Sequence, residues 1–471
     1  MANIRELVLS ILMEYDRDGK KKPSLLKDSL EKYDYLETRD KAFIKRVVEG
    51  CLERQTQIDY IIDQFSKTKT PKMQPLIRNI IRMGTYQIMF MDQVPDSAAC
   101  NEAVKLASKH KFDGLKGFVN GVLRNISRNK ENIKYPDKNI NDGITYLSVF
   151  YSTPEWLCKM WVKEYGFERT EGILKFFLQA RPTTIRLNIP SLESRNPKKE
   201  IDKVIEDYLN ELSDAGAQVK RNRILPYALD LEKTDNIKFL PGFDEGRFAV
   251  QDVSSMLVAE IAEVSKGQTV VDVCAAPGGK TTHAAEKVGK SGRVLSRDVS
   301  DRKCELILEN AERLGLSNVE VKVNDARIHD GNLGDMADVL YLDVPCSGLG
   351  IIGRKSDIKL NVTPKSIEEL ETLQWKIVKA SWDYVKKNGT LIYSTCTVNK
   401  DENQKMVERI CREFPFETVD ISEKVAEIFK NFEGLDTSDM IKTAKKGYIQ
   451  LLPGEFGTDG FFIAKLRRKA D

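Results

Sequence analysis

The stretch "VVDVCAAPGGKT", residues 270–281, decides how the second half of the chain folds. Its apolar start predicts a buried strand, and its Pro-Gly-Gly run predicts a tight turn that leads into a helix. A phosphate loop of the Walker type needs a glycine five residues before the Gly-Lys pair, but that position is Cys274. The G-x-G-x-x-G fingerprint of dinucleotide-binding proteins is also absent. Because Gly278 and Gly279 allow close approach to the backbone, the turn indicates a ligand without a phosphate chain, unless it is a plain connection.

A regular pattern surrounds this turn from residue 251 onward. Helical segments, among them the long "PKSIEELETLQWKIVKASWDYVKKNG", alternate with strand segments, namely "GRVLSRDVS", "VEVKVNDA", "ADVLYLDVP" and "TLIYSTCT". This alternation predicts an α/β fold with a parallel, doubly wound sheet. Ligands of such sheets bind beyond the carboxyl ends of the strands, so we expect the residues that end the strands to share one rim.

Aspartates end three successive predicted strands. Asp298 comes twenty residues after Gly278, where a carboxylate can accept hydrogen bonds from both hydroxyls of a ribose. Asp325 ends the next strand, in a position to lie near an adenine amino group, and Asp343 ends the one after. One such aspartate often only caps the following helix. Three on one sheet, beside a Gly-Gly turn, fit an adenosine cofactor that lacks a phosphate chain, which is S-adenosylmethionine.

Cysteines are predicted at the same rim. Cys346 follows Pro345 directly after the fourth strand, and Cys396 ends the strand "LIYSTC". A lone cysteine is usually a small buried apolar residue, but two at ligand-side strand ends indicate thiolate chemistry. A thiolate that attacks C6 of a pyrimidine makes C5 nucleophilic enough to take a methyl group from a sulfonium. Asp343 is the nearest acid for N3 of the ring, provided that burial or sharing with the ring holds its proton.

The front of the chain is predicted to form an all-helical domain over residues 1–135, followed by a small α+β domain over 145–250. The latter includes helices at "TPEWLCKMWVKEYG" and "RTEGILKFFLQA" and a strand at "TTIRLNI". Residues 1–140 carry 26 Lys and Arg against 19 Asp and Glu. This excess suits a polyanionic partner, and a solvated lysine-rich surface explains it equally well.

Cysteine and histidine usage argues against a metal or disulfide protein. The eight cysteines contain no C-x-x-C pair and the three histidines are scattered, so we expect no metal site. The charged N-terminal helix is unlike a signal peptide, and no apolar run reaches the length of a membrane span. We therefore expect a cytoplasmic protein without membrane contact, and nothing in the sequence suggests an obligate oligomer, so a monomer is predicted.

Three motifs carry a family resemblance. "VCAAPGGKTTH", "LDVPCSGLGIIGRK" and "YSTCTVNKDENQ" resemble motifs of the RNA 5-methylcytosine methyltransferases, the Nol1/Nop2/Sun group. The segments "DEGRFAVQDVSSMLVAE" and "LLPGEFGTDGFFIAKL" are also similar to that family, so the resemblance covers residues 145–471. The helical front, with "RDKAFIKRVVEGCL" and "VPDSAACNEAVKLASKH", is similar to the NusB-type RNA-binding domain. This domain order is typical of the RsmB (Fmu/Sun) branch of bacterial 16S rRNA methyltransferases.

The resemblance implies methyl transfer from S-adenosylmethionine to C5 of a specific cytosine in 16S rRNA. It implies a Rossmann-like methyltransferase domain over residues 251–471, preceded by RRM-like and NusB-like domains. Cys396 is then the nucleophile, Cys346 helps to release the product, and Asp343 completes the catalytic set. The implied cofactor site consists of Cys274, Ala275, Ala276, Pro277, Gly278, Gly279, Lys280, Asp298, Asp325 and Asp343. In the same reading, Lys280 lies near Asp343.

Other functions remain as alternatives. A methyltransferase of an exocyclic amine or a protein amide usually carries an N-P-P-Y-like run after the fourth strand, whereas this chain has "DVPCSG" with no aromatic residue. A DNA cytosine methyltransferase would attack with Cys346 instead of Cys396. A non-enzymatic RNA-binding or antitermination factor built on the helical front would be expected to have lost cofactor residues, and the positions named above show no such loss.

Overall fold

The computed structural model describes residues 4–17, 25–33, 35–140, 143–233, 236–432 and 437–470. The chain forms two compact units by its contacts. The first consists of Met1–Gln179 and Ile352–Val362, and the second of Ala180–Ile351 and Thr363–Asp471. Within the described ranges, every helix is too short or too polar to span a lipid bilayer.

The first unit is helical. Its helices, labelled in chain order along the whole protein, are α1 (Ile4–Arg17), α2 (Leu25–Lys32), α3 (Thr38–Glu53), α4 (Gln55–Phe65), α5 (Pro75–Phe90), α6 (Asp96–Lys109), α7 (Lys116–Arg128), α8 (Ile144–Phe150), α9 (Glu155–Tyr165), α10 (Phe167–Phe177) and α16 (Ile358–Asn361). Apolar residues at helical spacing, such as Val8, Val47, Ile61, Ile80 and Leu123, are fully buried in one core. The predicted all-helical front is confirmed.

Helices α8 to α10 pack in this first unit, although the sequence pattern places them in the small α+β domain. The backbone N–H of Thr56 in α4 donates to Ser152 Oγ at 2.8 Å. The ring of Tyr135 contacts that of Phe150, with the centroids 5.0 Å apart. By these contacts α8 to α10 pack with the helices before them, and the domain boundary at residue 145 stays a prediction. Helical periodicity identifies α9 and α10 but does not reveal which neighbours they pack against.

The second unit begins with a four-stranded antiparallel sheet in the order β2-β3-β1-β4. Its strands are β1 (Thr183–Leu187), β2 (Gln218–Arg221), β3 (Ala228–Lys233) and β4 (Phe248–Val250), and its helices are α11 (Ile189–Arg195) and α12 (Ile201–Asp214). The buried Ile185, Leu212, Leu229 and Phe248 form its core. The predicted α+β fold is confirmed for this segment.

The remainder of the second unit is an eight-stranded sheet in the order β10-β12-β9-β8-β5-β6-β7, with β11 beside β12. The strands are β5 (Thr269–Asp272), β6 (Arg293–Asp298), β7 (Val319–Val323), β8 (Ala337–Asp343), β9 (Val385–Thr395), β10 (Phe416–Thr418), β11 (Tyr448–Leu451) and β12 (Phe461–Arg468). The helices are α13 (Val253–Ala262), α14 (Gly279–Val288), α15 (Asp301–Arg313), α17 (Pro364–Ser381), α18 (Gln404–Glu413), α19 (Ser422–Ile428) and α20 (Ser438–Ala444). Strands β5 to β9 run parallel, as predicted, whereas β12 is antiparallel to its neighbours.

The long helix predicted up to Gly389 is wrong at its end. Helix α17 stops at Ser381, and β9 already begins at Val385. Val385 pairs with Ala337 of β8, and the next side chain, Lys386, forms an ion pair with Asp338 at 2.6 Å. Strand pairing therefore overrides the helical preference of this lysine-rich segment.

Candidate active site

The glycine turn, residues 274–280, connects β5 to α14 at the carboxyl end of the parallel strands. The N–H of Gly278 donates to the carbonyl of Ala275 at 2.7 Å and closes the turn. Gly278 has a φ of 102°, and a Cβ there would lie 3.2 Å from the Cα of Ile307. Both facts require glycine at this position. On the outer side, the carbonyl of Pro277 accepts a hydrogen bond from Asn310 Nδ2 at 2.9 Å.

Asp298 ends β6 next to this turn. Its Oδ2 accepts the N–H of Ala276 at 2.9 Å, and its Oδ1 accepts the N–H of Val299 at 2.7 Å and Lys303 Nζ at 2.9 Å. A carboxylate offers about four acceptor positions, so among the described contacts Oδ2 can still accept a hydrogen bond from a ligand. The Lys303 side chain is half exposed, so a ligand hydroxyl can also replace it.

The chain after β7 lies against Asp298, since the N–H of Asn324 donates to the Asp298 carbonyl at 2.9 Å. The next residue, Asp325, binds the guanidinium of Arg327 through both carboxylate oxygens. This hydrogen bonding lowers the pKa of Asp325 to about 2. The structure therefore directs the Asp325 carboxylate to Arg327, and its contact with an adenine stays a prediction. Val299, the apolar residue that follows Asp298, is 53% exposed.

These residues fit an adenosine cofactor. Asp298 offers a free acceptor position, and Val299 presents an exposed apolar surface that a purine ring can cover. Burial raises the pKa of the Cys274 thiol well above its usual range, with the nearby carboxylate of Asp272 as the next cause, so this sulfur keeps its proton. A backbone contact of Cys274 with the cofactor stays a prediction.

Lys280 and Asp343 form an ion pair at the rim. Lys280 Nζ lies 2.7 Å from Asp343 Oδ2, and Ser394 Oγ donates to Asp343 Oδ1 at 2.8 Å. The pKa of Lys280 is raised. Burial alone would lower it, but the charge of Asp343 and the hydrogen bond to Asp343 outweigh burial, and the Cys396 sulfur also raises it. The Asp343 side chain is 27% exposed and can therefore be reached by a ligand.

The two cysteines meet at the ends of adjacent strands. Cys346 Sγ lies 3.1 Å from Cys396 Sγ, and both residues are free thiols with partial exposure. The contact with Cys396, burial and the charge of Glu402 raise the pKa of Cys346 well above its usual range. Cys346 therefore keeps its proton, and its S–H can donate to the sulfur of Cys396. Cys396 packs at the margin of the core and is not enclosed by it.

Sequence reasoning missed Glu402, which lies within the quoted motif "YSTCTVNKDENQ" but received no role. This carboxylate is fully buried. It accepts hydrogen bonds from the N–H of Ser347 at 2.8 Å, from Gln374 Nε2 at 3.0 Å and from Asn399 Nδ2 at 3.3 Å. Burial raises its pKa, although these hydrogen bonds oppose the rise. A polar residue in a loop carries no periodic signal, so only its place beside Cys396 could have drawn attention to it.

Arg186 of β1 was missed as well. Its guanidinium is fully buried and donates to the carbonyl of Gly279 at 2.9 Å, to Thr282 Oγ1 at 3.2 Å and to the Gln251 side chain. It also binds both oxygens of Glu286, with distances of 2.7 and 3.2 Å. An arginine between the apolar residues of "TTIRLNI" is the available signal, because a buried charge needs a partner.

A doubly wound sheet that carries a glycine turn after β5 and an acidic residue at the end of β6 defines a Rossmann-like methyltransferase that uses S-adenosylmethionine. Comparison with known families gives the finer class. Residues 259–467 match the family described as 16S rRNA methyltransferase RsmB/F, residues 153–238 its ferredoxin-like domain, and residues 2–128 the NusB family.

Curated relatives match over the full length. The chain is 33% identical to a probable ribosomal RNA small subunit methyltransferase B of Bacillus subtilis, covering 99% of both chains. It is 34% identical to the protein of the same description from Synechocystis, covering 99% of this chain and all of the relative. The chain therefore belongs to the 16S rRNA methyltransferase RsmB/F family, and its cofactor is S-adenosylmethionine.

Solved structures share the fold. The crystal structure of PH0851 aligns with a TM-score of 0.74 at 24% identity and covers 98% of both chains. The structure of NSun6 from Pyrococcus horikoshii with SFG aligns with a TM-score of 0.54 at 23% identity, covering 68% of this chain and 99% of that one. Among the residues that the structure describes, no group of three His, Cys, Asp or Glu side chains has the arrangement of a metal site.

Proposed function

We propose that this protein methylates C5 of a specific cytosine in 16S rRNA through a transient covalent bond between Cys396 and C6 of the base. The observation that carries the proposal is the 3.1 Å separation of the Cys346 and Cys396 sulfurs beside the Lys280–Asp343 ion pair. S-adenosylmethionine supplies the electrophilic methyl group.

Cys396 acts first. Its sulfur attacks C6 as a thiolate, and the charge of Lys280 interacts with that sulfur. As the sulfur–C6 bond forms, the electron pair of the C5–C6 double bond makes C5 nucleophilic, and N3 takes up a proton from solvent water. The Asp343 carboxylate, which pairs with Lys280 at 2.7 Å, accepts the hydrogen bond from this N3–H and so shares the proton with the ring.

Cys346 acts in release. A base from the solvent takes the C5 proton of the methylated ring, the C5–H pair rebuilds the C5–C6 double bond, and the pair of the C6–sulfur bond returns to Cys396. Negative charge then develops on the Cys396 sulfur, and the S–H of Cys346, held protonated at 3.1 Å, donates to it. N3 gives up the shared proton, so the site returns to its starting state.

The rest of the chain supports substrate binding. A stacked base is out of reach of Cys396, so the target cytosine must turn out of its stack or lie in a loop. We assign RNA affinity to the NusB-like residues 1–135, chiefly through phosphate contacts and shape, with the small domain of residues 145–250 and the methyltransferase domain of residues 251–471 completing the enzyme. A cytoplasmic monomer stays a prediction.

The test is methylation of a 16S rRNA transcript by the purified protein, followed by bisulfite mapping. We expect one cytosine to become resistant to conversion. Cys396→Ala should abolish the product, whereas Cys346→Ala should leave a covalent RNA–protein adduct on a denaturing gel.

Three outcomes would contradict the proposal. Loss of the adduct in Cys346→Ala together with turnover by Cys396→Ala would make Cys346 the nucleophile, as in DNA cytosine enzymes. A product identified by mass spectrometry as an N-methylated base would indicate attack by an exocyclic amine. If no label passes from S-adenosylmethionine to the transcript, the protein would instead be a non-enzymatic RNA-binding factor.

A further inference from the structure

We propose that Glu402 is a positioning residue that holds Cys346 where it can assist product release. The inference rests on the proposed covalent mechanism. It concerns a buried carboxylate that contacts neither reacting sulfur through a hydrogen bond in the described structure, so its action must pass through the residues that it binds.

The carboxylate of Glu402 binds both loops that carry the two cysteines. Glu402 Oε1 accepts the N–H of Ser347, the residue after Cys346, at 2.8 Å. Glu402 Oε2 accepts Asn399 Nδ2, from the loop that follows Cys396, at 3.3 Å and also accepts Ser347 Oγ. The two loops are therefore fixed to the same buried anion, which sets the separation of their sulfurs.

Further contacts close the arrangement. Gln374 Nε2 donates both to Glu402 Oε1 and to the carbonyl of Pro345, each at 3.0 Å, so the residue before Cys346 is fixed as well. Ser347 Oγ lies 2.8 Å from Thr397 Oγ1, directly after Cys396. The hydroxyl of Tyr393 donates to the Glu402 carbonyl at 2.7 Å. The residues that flank each cysteine are thus held by one hydrogen-bonded network.

Every donor that points at residue 402 requires an acceptor there. The carboxylate receives four donors on its two oxygens, which matches its acceptor capacity. Glutamine at this position would keep one oxygen for Ser347 N–H and Gln374, but its amide would place a donor against the donor of Asn399. Alanine would leave all the donors without their buried acceptor.

Loss of Glu402 should act on release rather than on attack. The nucleophile Cys396 follows β9 directly, whose pairing with β8 and β12 does not depend on Glu402. Cys346 lies in the loop after β8 and is held through Pro345 and Ser347. A displaced Cys346 cannot donate its S–H to the Cys396 sulfur when the C6–sulfur bond breaks, so the methylated base stays bound to Cys396.

The experiment compares Glu402→Ala, Glu402→Gln, Cys346→Ala and the wild type on a 16S rRNA transcript with S-adenosylmethionine. Covalent adduct is quantified on a denaturing gel, turnover by label transfer, and affinity for S-adenosylmethionine by calorimetry. We expect Glu402→Ala to raise the adduct and to lower kcat by about tenfold, with the affinity unchanged within about twofold. Glu402→Gln should fall between this variant and the wild type.

Glu260→Gln is the matched control, because it alters a largely buried glutamate of the same unit that pairs with Lys287 and not with the cysteine loops. It should form no excess adduct. Adduct in Cys346→Ala but not in the folded Glu402 variants would overturn this inference and leave the proposed function standing. No adduct in Cys346→Ala would overturn the covalent mechanism itself. If Glu402→Ala does not bind S-adenosylmethionine, the Glu402→Gln result decides between these outcomes.

Discussion

The glycine turn and the cysteine loops lie at the same rim of one sheet, yet they are held in opposite ways. The glycine turn is fixed through its own backbone and through a buried cation, the guanidinium of Arg186, which binds the carbonyl of Gly279. The cysteine loops are fixed through a buried anion, the carboxylate of Glu402, which binds backbone and side-chain donors. A turn that presents carbonyls inward needs a donor, whereas a loop that presents N–H groups inward needs an acceptor.

The difference also separates the two tasks. Shape matters most at the glycine turn, where Gly278 has a positive φ and lies close to the Cα of Ile307. Electrostatics matters most at the cysteine loops, where one sulfur must ionise while its neighbour 3.1 Å away keeps its proton. Lys280 belongs to both regions, since it lies in the first turn of α14 beside the glycine turn and its ammonium pairs with Asp343.

The largest effect is expected from Lys280→Met, which breaks the link between the two regions. It removes the partner of Asp343 and the charge that interacts with the Cys396 sulfur, so kcat should fall by about 10²- to 10³-fold. The measurement is single-turnover methylation at saturating S-adenosylmethionine. Lys303→Met is the control, because this lysine pairs with Asp298 and not with the cysteines. Equal losses of kcat in both variants would contradict the assignment.

Arg186→Lys should damage the glycine turn alone. Lysine cannot reproduce the forked contacts with Glu286, Thr282 and Gly279, so we expect the Kd for S-adenosylmethionine to rise by about tenfold, with kcat at saturation changed by less than about twofold. Calorimetric titration measures the Kd. The matched control is Arg82→Lys, a buried arginine paired with Asp59 in the helical unit. A similar loss of affinity in the control would assign the effect to general destabilisation.

The sequence predicts residues at strand ends, but it does not predict contacts between distant segments. Asp298, Asp343, Cys346 and Cys396 were identified because they end strands, and strand ends can be located from apolar runs. Arg186 and Glu402 act across the sequence, with partners 93 and 55 residues away at Gly279 and Ser347. Periodicity describes local structure only, so such pairs become visible only when the chain is folded.

The same limit applies to the fold. Helices α9 and α10 were recognised as helices, but their packing in the first unit could not be predicted, because a helix pattern does not name its packing partner. The start of β9 was taken as helix, because its pairing with Ala337 is a tertiary property. The antiparallel pairing of β12 (residues 461–468) with β9 joins segments that are far apart in the sequence, so local periodicity could not predict it.

Ser347→Ala should weaken the cysteine loops by a smaller amount. It removes the hydroxyl that bonds to Glu402 and Thr397 but keeps the backbone N–H that donates to Glu402. The loss of these two hydrogen bonds, of which about 1 kcal/mol acts on release, should slow product release by about fivefold and leave the affinity for S-adenosylmethionine unchanged. Adduct decay after a chase with unlabelled RNA measures the release rate. Faster decay than in the wild type would contradict the role of the Glu402 network.

The smallest effect is expected from Asp272→Asn, which tests the electrostatics beneath both regions. Asp272 ends β5, is buried, and has one oxygen without a hydrogen-bond partner among the described residues, while the other accepts Thr281 Oγ1 at 2.8 Å. Burial raises its pKa from 3.8 to about 7. The folded protein therefore holds this proton more tightly than the unfolded chain, so the stability that Asp272 provides at low pH is lost as the pH rises through about 7.

Asparagine does not titrate, so the stability of Asp272→Asn relative to the wild type should increase by about 1 kcal/mol between pH 6 and pH 8. Thermal unfolding of both proteins at the two pH values measures this difference. The glycine turn keeps its other contacts, so the affinity for S-adenosylmethionine should change by less than about twofold at pH 6. A stability difference that is constant with pH would mean that Asp272 ionises in the folded protein as it does in water, and that the interior beneath the rim tolerates a charge.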